Sequence, residues 1–223
     1  MVRSNHVAEA VALQARVDDI ARGAALMTET TYKKQFIDAL ADTVPNHALE
    51  TVLYRNFEAL GVPAHTADEH AYANALAATY PGSDALPGIG AGYDAAIAET
   101  VRSLRAAAGG AMNDFLVPLY QGEAFQPGST DVGDVSWQCP TGQIHVASWP
   151  NGCPGHSWQN VSCDRTEIGH KAAVHAGKVL AGAVIDLLED PALLAAARAE
   201  FEKQTAAGYT CPIPPDAVPV VPD

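Results

Sequence analysis

The sequence predicts an α/β fold. Several long stretches repeat apolar residues at spacings of three and four, the mark of helices with one buried face. Two short stretches, residues 30–37 and 143–149, alternate apolar with polar side chains, as strands with one solvated face do. The 223-residue chain is long enough to bury about 70% of its unfolded surface. With 48% hydrophobic and 17% charged residues it reads as globular, because disorder goes with the opposite balance.

Residues 5–22 place Ala10, Leu13, Val17, Ile20 and Ala24 on one stripe, with Asn5 as the cap and Gly23 near the end. Residues 30–37 are β-branched and aromatic, with Tyr32, Lys34 and Phe36 in alternation, and read as a strand. Val44-Pro45-Asn46 breaks the chain, so a domain boundary is expected at Pro45. Residues 47–60 then carry Leu49, Val52, Leu53, Phe57 and Leu60 on one helical face that ends at Gly61. Thr66 caps a helix over 67–79, residues 80–92 form a Pro/Gly loop, and 95–108 is a helix closed by Gly109-Gly110.

The pattern over 115–127 is mixed. Residues 143–149 read as a strand leading into the turn Pro150-Asn151-Gly152. Residues 167–188 form a long helix despite Gly169, Gly177 and Gly182, each costing about 1 kcal/mol relative to alanine, so close backbone packing against a sheet is expected there. A last helix spans 192–205. The organisation is therefore a segment over 1–44, a larger domain over 45–208 and a proline-rich tail over 209–223.

Composition excludes several functions. A net charge of −13, with 13 lysines and arginines and no basic run, argues against nucleic acid. The first residues lack the apolar core of a signal peptide, and no apolar run is long enough to span a bilayer, so a cytoplasmic protein without a membrane is expected. Cys139, Cys153, Cys163 and Cys211 show no C-x-x-C spacing and read as reduced thiols, with Asn160-Val161-Ser162 a chance match to a glycosylation triplet.

Three motifs fail on spacing. His65-Thr66-Ala67-Asp68-Glu69-His70 fits neither H-E-x-x-H nor H-x-x-E-H, so its histidines read as structural or solvent-facing. Gly88-Ile89-Gly90-Ala91-Gly92 is not G-x-G-x-x-G and follows no strand. Gly155-His156-Ser157 lacks the second glycine of a G-x-S-x-G elbow, which disfavours a serine hydrolase.

Two segments remain: Gly128-Ser129-Thr130-Asp131-Val132-Gly133-Asp134 and Pro154-Gly155-His156-Ser157-Trp158-Gln159. By chemistry alone, Asp131 and Asp134 form turns and a loop histidine such as His156 is a hydrogen-bonding residue. Together, however, these segments resemble the closing part of the zinc-dependent amidohydrolases and peptidases of metallopeptidase family 20. The branch that cleaves p-aminobenzoyl-glutamate is the nearest match. Residues 21–30 and Val44-Pro45-Asn46 extend the resemblance, looking like the end of that family's lid or dimerisation domain and the re-entry into its catalytic domain.

The resemblance implies the second half of a zinc-peptidase-like α/β catalytic domain, preceded by the tail of an α+β lid. It makes His156 a metal ligand and Ser129, Thr130 and Asp131 a substrate-contacting turn. His170 and Asp134 would stand behind these, and His170 is equally well read as a helix residue hydrogen-bonded at the base of the site. The implied cofactor is zinc or manganese, and the implied reaction is attack of metal-activated water on an aryl or acyl amide of an amino acid. A catalytic zinc takes about three protein ligands. This chain supplies one that matches the family, and a substitute site from Asp131, Asp134, His145 and Cys153 is not favoured. No residue here matches the family's general base.

Two expectations follow. One is part of a metal amidohydrolase, inactive alone, acting on a small-molecule amide as a homodimer or with an N-terminal half or complete homologue. The other is a non-catalytic binding or assembly module that pairs with a complete homologue through an open sheet edge.

Overall fold

A computed structural model of the chain describes residues 1–81, 86–88, 92–122 and 128–218. Eight helices appear among them: α1 (Val7–Met27), α2 (His47–Leu60), α3 (Ala67–Ala77), α4 (Ala95–Ala108), α5 (Val132–Ser136), α6 (Trp158–Asp164), α7 (Glu167–Glu189) and α8 (Pro191–Gln204). Ile89, Gly90 and Ala91 of the glycine-rich motif, and parts of the 80–92 loop, the 115–127 stretch and the tail, lie outside the described residues.

The α/β expectation is corrected. Among the described residues there is no strand, so neither the α/β catalytic half nor the α+β lid tail is present as a sheet. Residues 30–37 run without regular structure and leave Tyr32 and Ile37 exposed. Residues 143–149 keep the alternation the sequence shows, with Gln143 and His145 outward and Ile144 and Val146 packed on a core, but no described segment pairs with them. Alternation records which side is buried; a strand also needs a neighbour's hydrogen bonds.

The described chain falls into two compact units. The first comprises residues 1–45, 125–141 and 198–223. Its α1 is capped from a distance: Asp42 accepts from Val7 N at 3.0 Å and pairs with His6 Nδ1 at 3.2 Å, in place of the expected Asn5. The stripe on α1 is not buried, and Val17 and Ile20 stand 45% and 71% exposed. The firm part of this unit is α5 against residues 41–44. Ser136 Oγ accepts from Val44 N at 2.8 Å, Trp137 Nε1 donates to Asp42 O at 2.8 Å, and Gly133 lets the backbone approach so closely that a Cβ there would sit 2.1 Å from Ala41 O.

The second unit comprises residues 46–124 and 142–197. Asn46, 2% exposed, caps α2 by accepting from Leu49 N at 3.0 Å and donates through Nδ2 to Ala197 O at 2.9 Å. Helix α2 lies on α7 through Val52, Leu53 and Phe57 against Val179 and Ala183, with Leu116, Ile144 and Val146 around them. A second cluster joins Ala73 and Leu76 of α3 to Met112, Cys163 and Ile168. Burial holds the Cys163 thiol up at about 11, so it behaves as a packed, protonated group. Two of the three glycines of α7 serve helices rather than a sheet: a Cβ on Gly182 would strike Asn56 of α2 at 2.1 Å, and one on Gly169 would meet Asp164 O at 2.6 Å, while Gly177 faces open space.

Candidate functional site

The loop ahead of α6 is built by local hydrogen bonds. Ser157 accepts from Asn160 N at 3.3 Å as the helix cap and donates through Oγ to Pro154 O at 2.6 Å, which folds the Pro154–Ser157 turn back on itself. This leaves His156 at φ 55, the left-handed region that costs a non-glycine residue about 1 kcal/mol or more. Its imidazole is exposed and makes no hydrogen bond or ion pair among the described residues.

The turn at Ser129 is also exposed, and lies in the first unit. Thr130 Oγ1 accepts from Val132 N at 3.4 Å and Thr130 O from Gly133 N at 3.2 Å, while Asp131 stands at the start of α5 without capping it through its side chain. Asp134 is committed inside that unit. It accepts from Ala41 N at 3.2 Å and from Tyr209 Oη at 2.6 Å, and the second of these bonds holds the Tyr209 phenol above its ordinary range. The structure thus brings Ser129, Thr130, Asp131 and Asp134 together around α5, and places His156 and His170 in the second unit.

His170 sits in the first turns of α7, exposed, its Nδ1 3.4 Å from Glu167 Oε1. It lines a groove of about 410 Å³ between α7 and the segment Val62, Pro63 and Ala64, together with Glu167, Lys171, Val174, His175 and Lys178. Lys171 donates to Ala64 O at 3.0 Å and to Glu69 Oε2 at 2.7 Å. That ammonium, with the Thr66 N–H, holds the Glu69 carboxyl below its usual range.

Beside this groove the structure shows a cluster that spacing rules do not find. His65, whose side chain is 1% exposed, donates through Nδ1 to Asp114 Oδ1 at 2.7 Å, and His70 Nε2 stands 3.4 Å from the other oxygen of the same carboxylate. The rings are edge to face, 5.9 Å apart. His65 Nε2 is buried and has no partner. The signal in the sequence is the His65 and His70 pair itself; its third member comes from 49 residues downstream of His65.

Among the described residues no three or more His, Cys, Asp or Glu side chains are placed to hold a metal ion together. His156 stands apart from any such group. Among the described residues, too, no helix is long and apolar enough to cross a membrane.

The chain is 34% identical over 230 aligned residues to a p-aminobenzoyl-glutamate hydrolase subunit of Escherichia coli (strain K12), an alignment that takes in 98% of this chain and 46% of that protein. The resemblance read from the two loop segments is therefore real and extends along the chain. This chain spans about half the length of that relative. No family model and no solved structure matches it.

Proposed function

We propose that this chain contributes one part of a metal-dependent amidohydrolase that cleaves p-aminobenzoyl-glutamate or a related aryl or acyl amide of an amino acid. The similarity to a p-aminobenzoyl-glutamate hydrolase polypeptide supports the reaction class. The observation that carries the site is His156: exposed, without a partner, and held at positive φ by the Ser157 cap. In this reading His156 is one ligand to zinc or manganese, which would polarise the scissile carbonyl when bound. Ser129, Thr130 and Asp131 contact the substrate from their exposed turn. His170 and Asp134 position their surroundings, Asp134 by tying α5 to Ala41 and Tyr209.

In this reading the remaining ligands and the general base are supplied by another polypeptide, since among the described residues no three such groups come together and one donor does not make a catalytic zinc site. That the relative is itself named as one subunit of a hydrolase supports a partner polypeptide. The test is release of p-aminobenzoate with zinc or manganese present, by the chain alone and mixed with the part of the Escherichia coli relative that the alignment leaves uncovered. Turnover only in the mixture, lost in His156→Ala, supports the reading; turnover by the chain alone, or a mixture indifferent to His156→Ala, opposes it.

A second reading, an assembly module, keeps one observation in its favour. The sheet edge expected to carry it is absent among the described residues, but α1 exposes Val17, Ile20, Leu26 and Met27 on a helix with no buried residue. Light scattering that shows a monomer without exposed-surface dye binding would remove that reading.

A further inference from the structure

We infer that the outward face of α7 is a docking surface for a second polypeptide, equivalent to the part of the Escherichia coli relative that the alignment leaves uncovered. The inference rests on the reading that another polypeptide completes the centre, and it names where that polypeptide sits.

Helix α7 is apolar on two opposite faces. Ile168, Ala172, His175, Val179 and Ala183 are its buried residues. At about 100° per residue, Ala173, Gly177, Leu180, Ala181, Val184 and Leu188 share one stripe on the far side, and all six are exposed. Leu180, Val184 and Leu188 stand 46%, 54% and 77% exposed. A surface helix carries polar residues on its outer face, and a helix that is apolar all round is a buried one. Among the described residues between Ala173 and Leu188, Lys178 alone is both charged and exposed, in a chain whose net charge is −13.

Gly177 supplies the second, independent observation. Glycine is a poor helix former, and close packing is its usual compensation. Gly169 and Gly182 have that compensation within the chain, against Asp164 and Asn56, but among the described residues a Cβ on Gly177 would meet nothing within 4 Å. With Ala173 and Ala181 four residues to either side, Gly177 forms a shallow track where a partner's backbone can approach α7, with Leu180, Val184 and Leu188 alongside.

Length and chemistry select the occupant. From Ala173 to Leu188 the stripe runs about 22 Å along the helix. The alignment takes in 46% of the relative, so more than as much chain again accompanies this stretch in that protein. Permanent interfaces resemble a domain core cut in half, whereas partners that separate keep a polar rim. An almost uncharged stripe therefore fits lasting burial against an apolar face of that additional chain.

The test co-expresses the whole chain, tagged, with the uncovered part of the relative, and reads co-purification and mass by light scattering. A one-to-one complex is expected. Val184→Asp, Leu188→Asp and Gly177→Leu change exposed residues; each is expected to leave the fold of the chain alone intact by circular dichroism and to weaken association at least tenfold. The chain by itself is expected to bind an exposed-surface dye, and Val184→Asp to bind less of it. Release of p-aminobenzoate is scored separately. A complex lost in the aspartate variants that releases none keeps this surface and fails the hydrolase reading, whereas release undiminished in those variants keeps that reading and fails this surface. No complex, a homodimer of the chain through the same stripe, full association of the aspartate variants, or no dye binding by the chain alone would each overturn the proposal.

Discussion

His65 donates a hydrogen bond from Nδ1 to Asp114 Oδ1 at 2.7 Å while its Nε2 lies buried with no partner, so a single carboxylate fixes both the tautomer and the orientation of a ring that is almost fully enclosed. His70 reaches the same carboxylate from a half-exposed position at 3.4 Å. The arrangement ties the start of α3 to the chain at Asp114.

Asp114→Ala leaves the His65 N–H buried without an acceptor and is expected to cost about 1–3 kcal/mol. His70→Ala removes the longer, solvent-screened contact and the edge-to-face ring contact with His65, and is expected to cost less than Asp114→Ala. Urea unfolding of the two variants measures the difference, and a larger loss in His70→Ala would contradict the assignment.

Gly133→Ala forces a Cβ to 2.1 Å from Ala41 O, an atom of the backbone that cannot swing aside. A loss of about 2 kcal/mol or more is expected. Gly177→Ala, in a helix with nothing within 4 Å of the added Cβ, is expected to be neutral or to stabilise by about 0.5–1 kcal/mol. Thermal melting of both variants checks the contrast.

Much of the helical plan is legible in the sequence, because caps are local. Asn46, Thr66 and the Gly109-Gly110 pair set the limits of α2, α3 and α4 through hydrogen bonds or backbone geometry within a few residues. The short α5 and α6 carry too few turns to show a periodicity. Sheet pairing misleads for the opposite reason: Ile144 and Val146 do alternate inward, yet what they cover is the α2 and α7 core. The His156 loop is visible through its residues. The His65, Asp114 and His70 cluster is not, since chain separation hides the carboxylate and the histidines match no helical zinc spacing. His175 reads as one more residue on the α7 face until its unpartnered nitrogen is seen.

Glu69 and Lys171 give the fold an acid-sensitive contact. The Glu69 carboxyl lies below its usual range when folded, so its contribution is fully present above the ordinary glutamate value near 4.5 and is lost as pH falls through the folded value. Unfolding free energy measured from pH 7 down to pH 3 should fall more in the parent than in Glu69→Gln. Parallel curves would show that the pair contributes nothing.

Asn46→Ala removes the α2 cap and the buried Nδ2 bond to Ala197 O, and a loss of about 1–3 kcal/mol is expected. Asn46→Asp keeps the cap and removes the Nδ2 donor, so it should fall between the parent and the alanine variant. Chemical denaturation ranks the three.

The central claim is that this chain brings one metal ligand, His156, to a centre completed by another polypeptide. Release of p-aminobenzoate from p-aminobenzoyl-glutamate, with zinc or manganese present, tests it most directly. The account predicts no turnover by the chain alone, turnover after mixing with the uncovered part of the Escherichia coli relative, and its loss in His156→Ala. Robust turnover by the isolated chain, or full activity of the mixture carrying His156→Ala, would contradict it.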